Sequence, residues 1–284
     1  MLISNDHGSV LFTPWRCGTN SAIGLLRGLY DNTLNKHLRD PFHGVPDDLL
    51  SLAKHGISID NMRVFVCIRN IYDWIYSCWR WNRYLDCTSI DFPGLRLPIP
   101  FVEGGYRLCL KDFVSMWAKG RSQGSLPGLS SWSIYQGIRL NATYVDFSRE
   151  SGLAELADSF GVEGFGLRQK GDIAHNSSDI RSLGIEKVFR HMGIKARHGY
   201  FTPEIIRIVC DSFADDIELT GSRFFEDEID ACAIGKAQSM INEYISHEAQ
   251  DDGPMSVPHD LGSYRDFSFC QNLLRNIQQC SGGI

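Results

Sequence analysis

Apolar residues in this chain gather into short runs, each followed by a polar turn and then by a stretch in which apolar positions recur at helical spacing. The run Val10 to Thr13 leads through Pro14 to Gly18 into an amphipathic helix, with Thr19, Asn20 and Ser21 placed to cap or open it. About fifty residues later Val64 to Ile68 ends in Arg69 and leads into a second amphipathic helix carrying Trp74, Ser77, Trp79 and Trp81. Between them, 31–46 is polar and histidine-rich, and Pro46-Asp47-Asp48 opens a helix to about His55. Lys111 to Lys119 predicts a helix and Gln123 to Ser131 a Gly/Ser/Pro loop. Cys87 to Tyr106 holds three prolines and three glycines without clear periodicity, and reads as a substrate lid or a plain surface loop. Beyond Gly221 an acidic stretch leads into a helix to about His247, a polar break at 248–258 and a short helix from about Phe267 to Gln279.

Strand, turn and helix repeated in this order predict an α/β fold with a mainly parallel central sheet flanked by helices. The expected organisation is one domain over 1–222, with a helical extension over 223–284 packed on it. That tail packs on the core, pairs with a second subunit in a homodimer, or closes a pocket.

Both strand-to-helix turns carry arginine, and open α/β sheets place ligands at the carboxyl ends of their strands. A helix N-terminus offers unpaired N–H groups and a positive dipole end, Gly18 lets a backbone approach an anion, and Thr19 and Ser21 offer hydroxyl donors. Arg69 and Ser77 are eight residues apart, a little over two helical turns, so one ligand along the helix could meet both. The plainer reading is a tight turn with an N-cap in the first unit and a surface ion pair at Arg69. Trp74, Trp79, Trp81 and Tyr84 read first as core.

Composition narrows the classes. At 284 residues and 43% hydrophobic the chain can bury one large core, and a net charge of −6 argues against a nucleic-acid partner. The nine cysteines are odd in number and lack Cys-x-x-Cys spacing, so neither a disulfide framework nor a zinc site is expected. No His-x-x-x-His or paired-carboxylate cluster asks for a metal. The first residues, MLISNDHGSVLF, carry an acid and a histidine before any long apolar run, from which we expect no signal peptide, no membrane association and a cytoplasmic location.

The two turns resemble the cofactor segments of the sulfotransferases that use 3′-phosphoadenosine 5′-phosphosulfate. Arg16-Cys17-Gly18-Thr19-Asn20-Ser21 is similar to the loop that holds the 5′-phosphosulfate, and Arg69 with Ser77 to the pair that holds the 3′-phosphate. Asn141 to Phe147 resembles the family's later strand, Phe160-Gly161-Val162 its following turn, and Leu167 to Gly171 the basic loop closing over the 3′-phosphate, with Arg168, Lys170 and Gly171 as contacts. Asn176-Ser177-Ser178 and Phe201 to Gly221 resemble the Asn/Ser stretch and closing helix that come next, so the likeness runs from about Gly8 to Gly221. One departure stands at a sensitive place: the family's loop usually carries lysine where this chain has Arg16, and a planar fork replaces a compact ammonium.

The resemblance implies the P-loop-like nucleotide-hydrolase fold of sulfotransferases and transfer of a sulfuryl group to a hydroxyl, amine or guanidine of a small acceptor in specialised, natural-product metabolism. The product would be adenosine 3′,5′-bisphosphate. Such enzymes commonly use histidine or glutamate as the base that takes the acceptor's proton. His37 and His43, between the two cofactor segments, are the candidates, with Asp40, His55, Asp91 and Glu103 behind them. The acidic balance favours a neutral or cationic acceptor over a polyanionic glycan. Two other classes remain. A P-loop kinase would need Gly-x-x-x-x-Gly-Lys-Ser/Thr, which the chain lacks, and a non-catalytic nucleotide-binding protein on the same fold would explain the replacement at Arg16.

Overall fold

The computed structural model describes residues 1–4, 8–19, 22–23, 26, 43–56, 58–82, 89–92, 95–98, 110–146, 150–162 and 197–224. The chain divides into two compact units, one of Met1–Ile180 with Val209–Ser222 and one of Arg181–Ile208 with Arg223–Ile284.

Four strands form the central sheet of the first unit: β1 (Leu2–Ser4), β2 (Ser9–Phe12), β3 (Arg63–Ile68) and, later in the chain, Ala142–Asp146. Two ribbons come between the last two, β4 (Ser89–Phe92) with β5 (Leu95–Pro98), and β6 (Ile134–Tyr135) with β7 (Ile138–Arg139), so the fourth sheet strand is β8. The order is β1-β2-β3-β8. β2, β3 and β8 run parallel, with Val10 opposite Val64 and Val66 opposite Tyr144, while β1 is antiparallel to β2. Every residue of β1 and β2 is buried, and Val64 to Cys67 are buried in β3. Continuous apolar runs of this kind suit a sheet covered on both faces. The fold is thus α/β, with a mostly parallel sheet flanked by helices.

Helix α1 (Ile71–Asn82) follows β3 directly, with the Asn70 side chain accepting from the Tyr72 N–H at 3.0 Å as an N-cap does. Helix α2 (Leu110–Ser122) packs on it, and the large side chains between them form the core. Trp74 meets Trp117 at 4.7 Å and Trp132 at 6.4 Å, and Trp117 meets Phe113 and Phe213 at 5.5 Å each. Trp74 and Trp79, expected as core, are buried. On β8 follows helix α3 (Glu150–Ser159), whose end is tied to the sheet by Arg63 donating to the Ser159 carbonyl at 2.6 Å and by Phe160 against Phe65 at 5.8 Å.

The structure departs from the expected elements in three places. The segment Pro46–His55 is a 3₁₀ helix, opened by the Asp48 carboxylate accepting from the Val45 N–H at 2.8 Å. Within the stretch read as a lid or loop, β4 and β5 form a ribbon in which Phe92 pairs with Leu95. The closing helix is interrupted. Helix α5 (Pro203–Ser212), which spans the boundary between the units, is followed by α6 (Ala214–Thr220), and Phe213 between them leaves helical geometry at φ −125° and ψ 27°. Its ring lies edge-on to Trp117 and under the Arg121 guanidinium, 4.6 Å away. Helix α6 ends at Gly221, which takes the left-handed φ of 59° that a helix C-terminus favours.

A buried ion pair fastens α6. Arg121 reaches Asp216 at 2.8 Å and donates to the Ser212 carbonyl at 2.9 Å, while the Ser130 N–H donates to Asp216 at 2.7 Å. Gly128 passes so close that a methyl group there would land on the Arg121 guanidinium and the Asp216 carboxylate. Burial pushes the Asp216 carboxyl up from its ordinary value, against the opposing pull of Arg121 and of the Ser130 hydrogen bonds. In the second unit, α4 (Arg197–Tyr200) presents the buried Arg197, which donates to the Phe224 carbonyl at 2.9 Å. Phe201 packs on Phe224 at 5.7 Å.

Candidate functional site

The first turn begins as the chain leaves β2. The Cys17 N–H returns to the Pro14 carbonyl at 3.0 Å, closing a four-residue turn with Trp15 and Arg16 in its centre. Arg16 has φ 65° and Gly18 φ 86°. A positive φ at the third position of such a turn ordinarily calls for Gly or Asn, so arginine is held there against its own preference. Helical hydrogen bonds start at once, with Ala22 N–H on the Gly18 carbonyl and Leu26 N–H on the Ala22 carbonyl, both at 2.9 Å. The backbone donors at the start of this helix follow the Gly18 turn.

The second turn meets the first. Arg69, one residue past β3, donates through Nη1 to the Arg16 carbonyl at 3.3 Å, and Arg16 donates through Nε to the Ser77 hydroxyl at 3.2 Å, across 61 residues of sequence. Trp74 lies one helical turn before Ser77 and donates its indole N–H to the Trp15 carbonyl at 2.6 Å. One face of α1 therefore holds the first turn by two adjacent residues. Parallel pairing of β2 with β3 is what brings the turns side by side, since both leave the sheet at the same edge.

His43 joins this group. Its Nδ1 lies 3.1 Å from the Thr13 carbonyl and 3.4 Å from the Thr19 hydroxyl. A carbonyl oxygen only accepts, so the neutral ring keeps its proton on Nδ1 and its lone pair on Nε2. The backbone carbonyl of His43 accepts from the Trp132 indole at 3.2 Å.

Charge at the site is mixed. Asp146, opposite Ile68 at the end of β8, is felt at the Cys17 thiol together with Arg69 and Arg16. Burial dominates there and pushes the Cys17 thiol up; Arg69 and Arg16 oppose it and Asp146 adds to it. Cys67 and Cys78 are pushed up by burial as well, and all three are protonated packing groups, not nucleophiles.

Of the residues singled out from sequence, Arg16, Cys17, Gly18, Thr19, Arg69, Ser77 and His43 come together around the two turns. Asn20, Ser21, His37, Arg168, Lys170 and Gly171 lie outside the described residues. His55 is exposed at the end of the 3₁₀ segment. Sequence reasoning took Asp146 only as part of a strand and left Trp132 unremarked. An acid closing an apolar strand was the available signal for the first, and Trp132 had none.

Among the described residues no group of three or more His, Cys, Asp or Glu side chains could hold a metal ion. No described helix is long and apolar enough to cross a membrane. Compared with family models, with curated proteins and with solved structures, the chain matches none.

Proposed function

We propose that this chain is a sulfotransferase, moving a sulfuryl group from 3′-phosphoadenosine 5′-phosphosulfate to a hydroxyl, amine or guanidine of a small acceptor, on a sulfotransferase-type P-loop-like α/β fold. The observation that carries this reading is the joining of the two arginine turns at one sheet edge, with Arg16 on Ser77 and Arg69 on the Arg16 carbonyl. Two cations, a hydroxyl and the donors of a helix start within one hydrogen-bonded group suit a ligand with two separated phosphate-type anions.

Sulfuryl transfer needs positioning and charge stabilisation more than covalent chemistry by the protein, as phosphoryl transfer does. The bisphosphate-containing donor supplies the sulfuryl group. Arg69 and Ser77 bind its 3′-phosphate. Arg16, Cys17, Gly18 and Thr19, with Asn20 and Ser21, surround the 5′ end and offset charge growing on the leaving oxygen. Arg168, Lys170 and Gly171 complete the 3′ contacts. His43 takes the acceptor's proton at Nε2 as the new bond to sulfur forms and the bond to the phosphate oxygen breaks. His37 is the other candidate base. The acceptor is a small molecule in specialised metabolism.

A second reading, a nucleotide kinase or nucleotide-binding protein, draws on Asp146 at the end of a parallel strand, where magnesium-nucleotide sites place an acid. Thermal unfolding separates the two. Adenosine 3′,5′-bisphosphate at a hundred times its dissociation constant should add about 2.7 kcal/mol of stability. Adenosine 5′-monophosphate and magnesium-ATP should shift the midpoint far less, and Arg69→Ala should remove the bisphosphate shift. Equal shifts with all three ligands, or none, would end the sulfotransferase reading, and a shift with magnesium-ATP alone would favour the kinase.

A further inference from the structure

Trp74 and Trp132 are buried, 0% and 1% exposed, and each spends its only polar group on the backbone of a site segment. Trp74 donates to the Trp15 carbonyl in the first turn, and Trp132 donates to the carbonyl of His43. Their rings meet edge to face at 6.4 Å and 89°. Trp117 backs Trp74 at 4.7 Å and donates its own N–H to the Pro127 carbonyl at 3.1 Å, just before the short 3₁₀ turn Leu129–Ser133 that carries Trp132. Indole rings in such a close-packed contact do not slide, so the distance between their N–H groups is fixed.

We propose that Trp74 and Trp132 are positioning residues that set the spacing between the turn at 14–18 and His43. That spacing keeps the His43 Nδ1 proton on the Thr13 carbonyl and leaves Nε2 the basic nitrogen. Only the task given to Nε2 rests on the sulfotransferase reading. The spacing itself is a property of the fold. His43 is the group that would touch substrate, and the tryptophans act through it.

The experiment reads the ring nitrogens of His43 by nitrogen-15 NMR in the intact chain and in Trp132→Phe, which keeps an aromatic ring and deletes the N–H. The ratio of Nδ1–H to Nε2–H tautomer should fall about two- to tenfold in the variant, the range set by one neutral hydrogen bond. An unchanged ratio would overturn the proposal. Should Trp132→Phe fail to fold, the unmodified chain still decides. The indole N–H signals of Trp132 and Trp74 should both move with the midpoint of the His43 ring titration, and a flat Trp74 signal would overturn the proposal. The bisphosphate melting experiment is independent of both. Its failure would remove the sulfotransferase reading and leave the tautomer result standing.

Discussion

Arg16 serves the site with its backbone and its side chain at once. Its φ of 65° costs a non-glycine residue about 1–2 kcal/mol, and its guanidinium meets Ser77. Two substitutions separate these roles. Arg16→Gly should unfold at a higher temperature than Arg16→Ala, by an amount equivalent to about 1 kcal/mol, because only alanine keeps the backbone penalty. Both should lose most of the bisphosphate affinity. Equal melting of the two variants would show that the turn is not strained. Sequence pattern alone picked out Arg16, Gly18, Thr19, Arg69 and Ser77, since a cation after an apolar strand and a hydroxyl at a helix start are local signals. It put Arg69 and Ser77 on one phosphate and carried no sign that the Ser77 hydroxyl also accepts from Arg16. A guanidinium's direction depends on which helix face lies opposite, and that is set by packing across 61 residues.

At the scale of elements, the strands β2 and β3 and the helices α1 and α2 were legible because apolar runs and helical periodicity mark them within a few residues of their bounds, whereas β8 was reached only through the family resemblance of 141–147. The ribbon β4–β5 was not assigned, although Pro93-Gly94 between Phe92 and Leu95 is a turn signal, because the surrounding prolines and glycines hide the alternation. The break at Phe213 had no local signal. It follows from a ring inserted against Trp117 and Arg121. Helix α6 next to it is fastened by Asp216, and this sets a pH dependence. Its folded-state carboxyl is raised above the ordinary 3.8, so the folded chain holds the proton more tightly than the unfolded one. This group's contribution is therefore full below 3.8 and is lost as pH rises through the raised folded value. Asp216→Asn removes the titration. Denaturant unfolding of both proteins from acid to neutral pH should show the native chain losing stability relative to the variant as pH rises. A gap that moves the other way would mean that the pairing with Arg121 outweighs burial.

For the molecule as a whole, a net charge of −6 coexists with a local group of arginines at one sheet edge. Composition argued against a general polyanion binder without locating that group, since the parallel pairing that gathers the turns is long-range. The antiparallel strand β1 was equally invisible, being three residues long. Yet β1 alters what the first turn can do. With β1 on one edge and β3 on the other, β2 is laced along both sides, Ile3 against Val10 and Val10 against Val64. Backbone protons in such a strand trade with solvent only when the sheet itself opens, while those just beyond Phe12 need only a local fluctuation. Protection from hydrogen–deuterium exchange should accordingly fall off a step at Phe12, with 10–12 among the slowest amides and 15–18 faster, Cys17 being held only by its turn bond to the Pro14 carbonyl. Bisphosphate should slow the second group and leave the first unchanged. Strand amides as fast as the turn would mean that β1 does not clamp the strand. The expected pattern sets the anion turn on a fixed post, so that a ligand is felt at the turn's amides without disturbing the sheet that carries it.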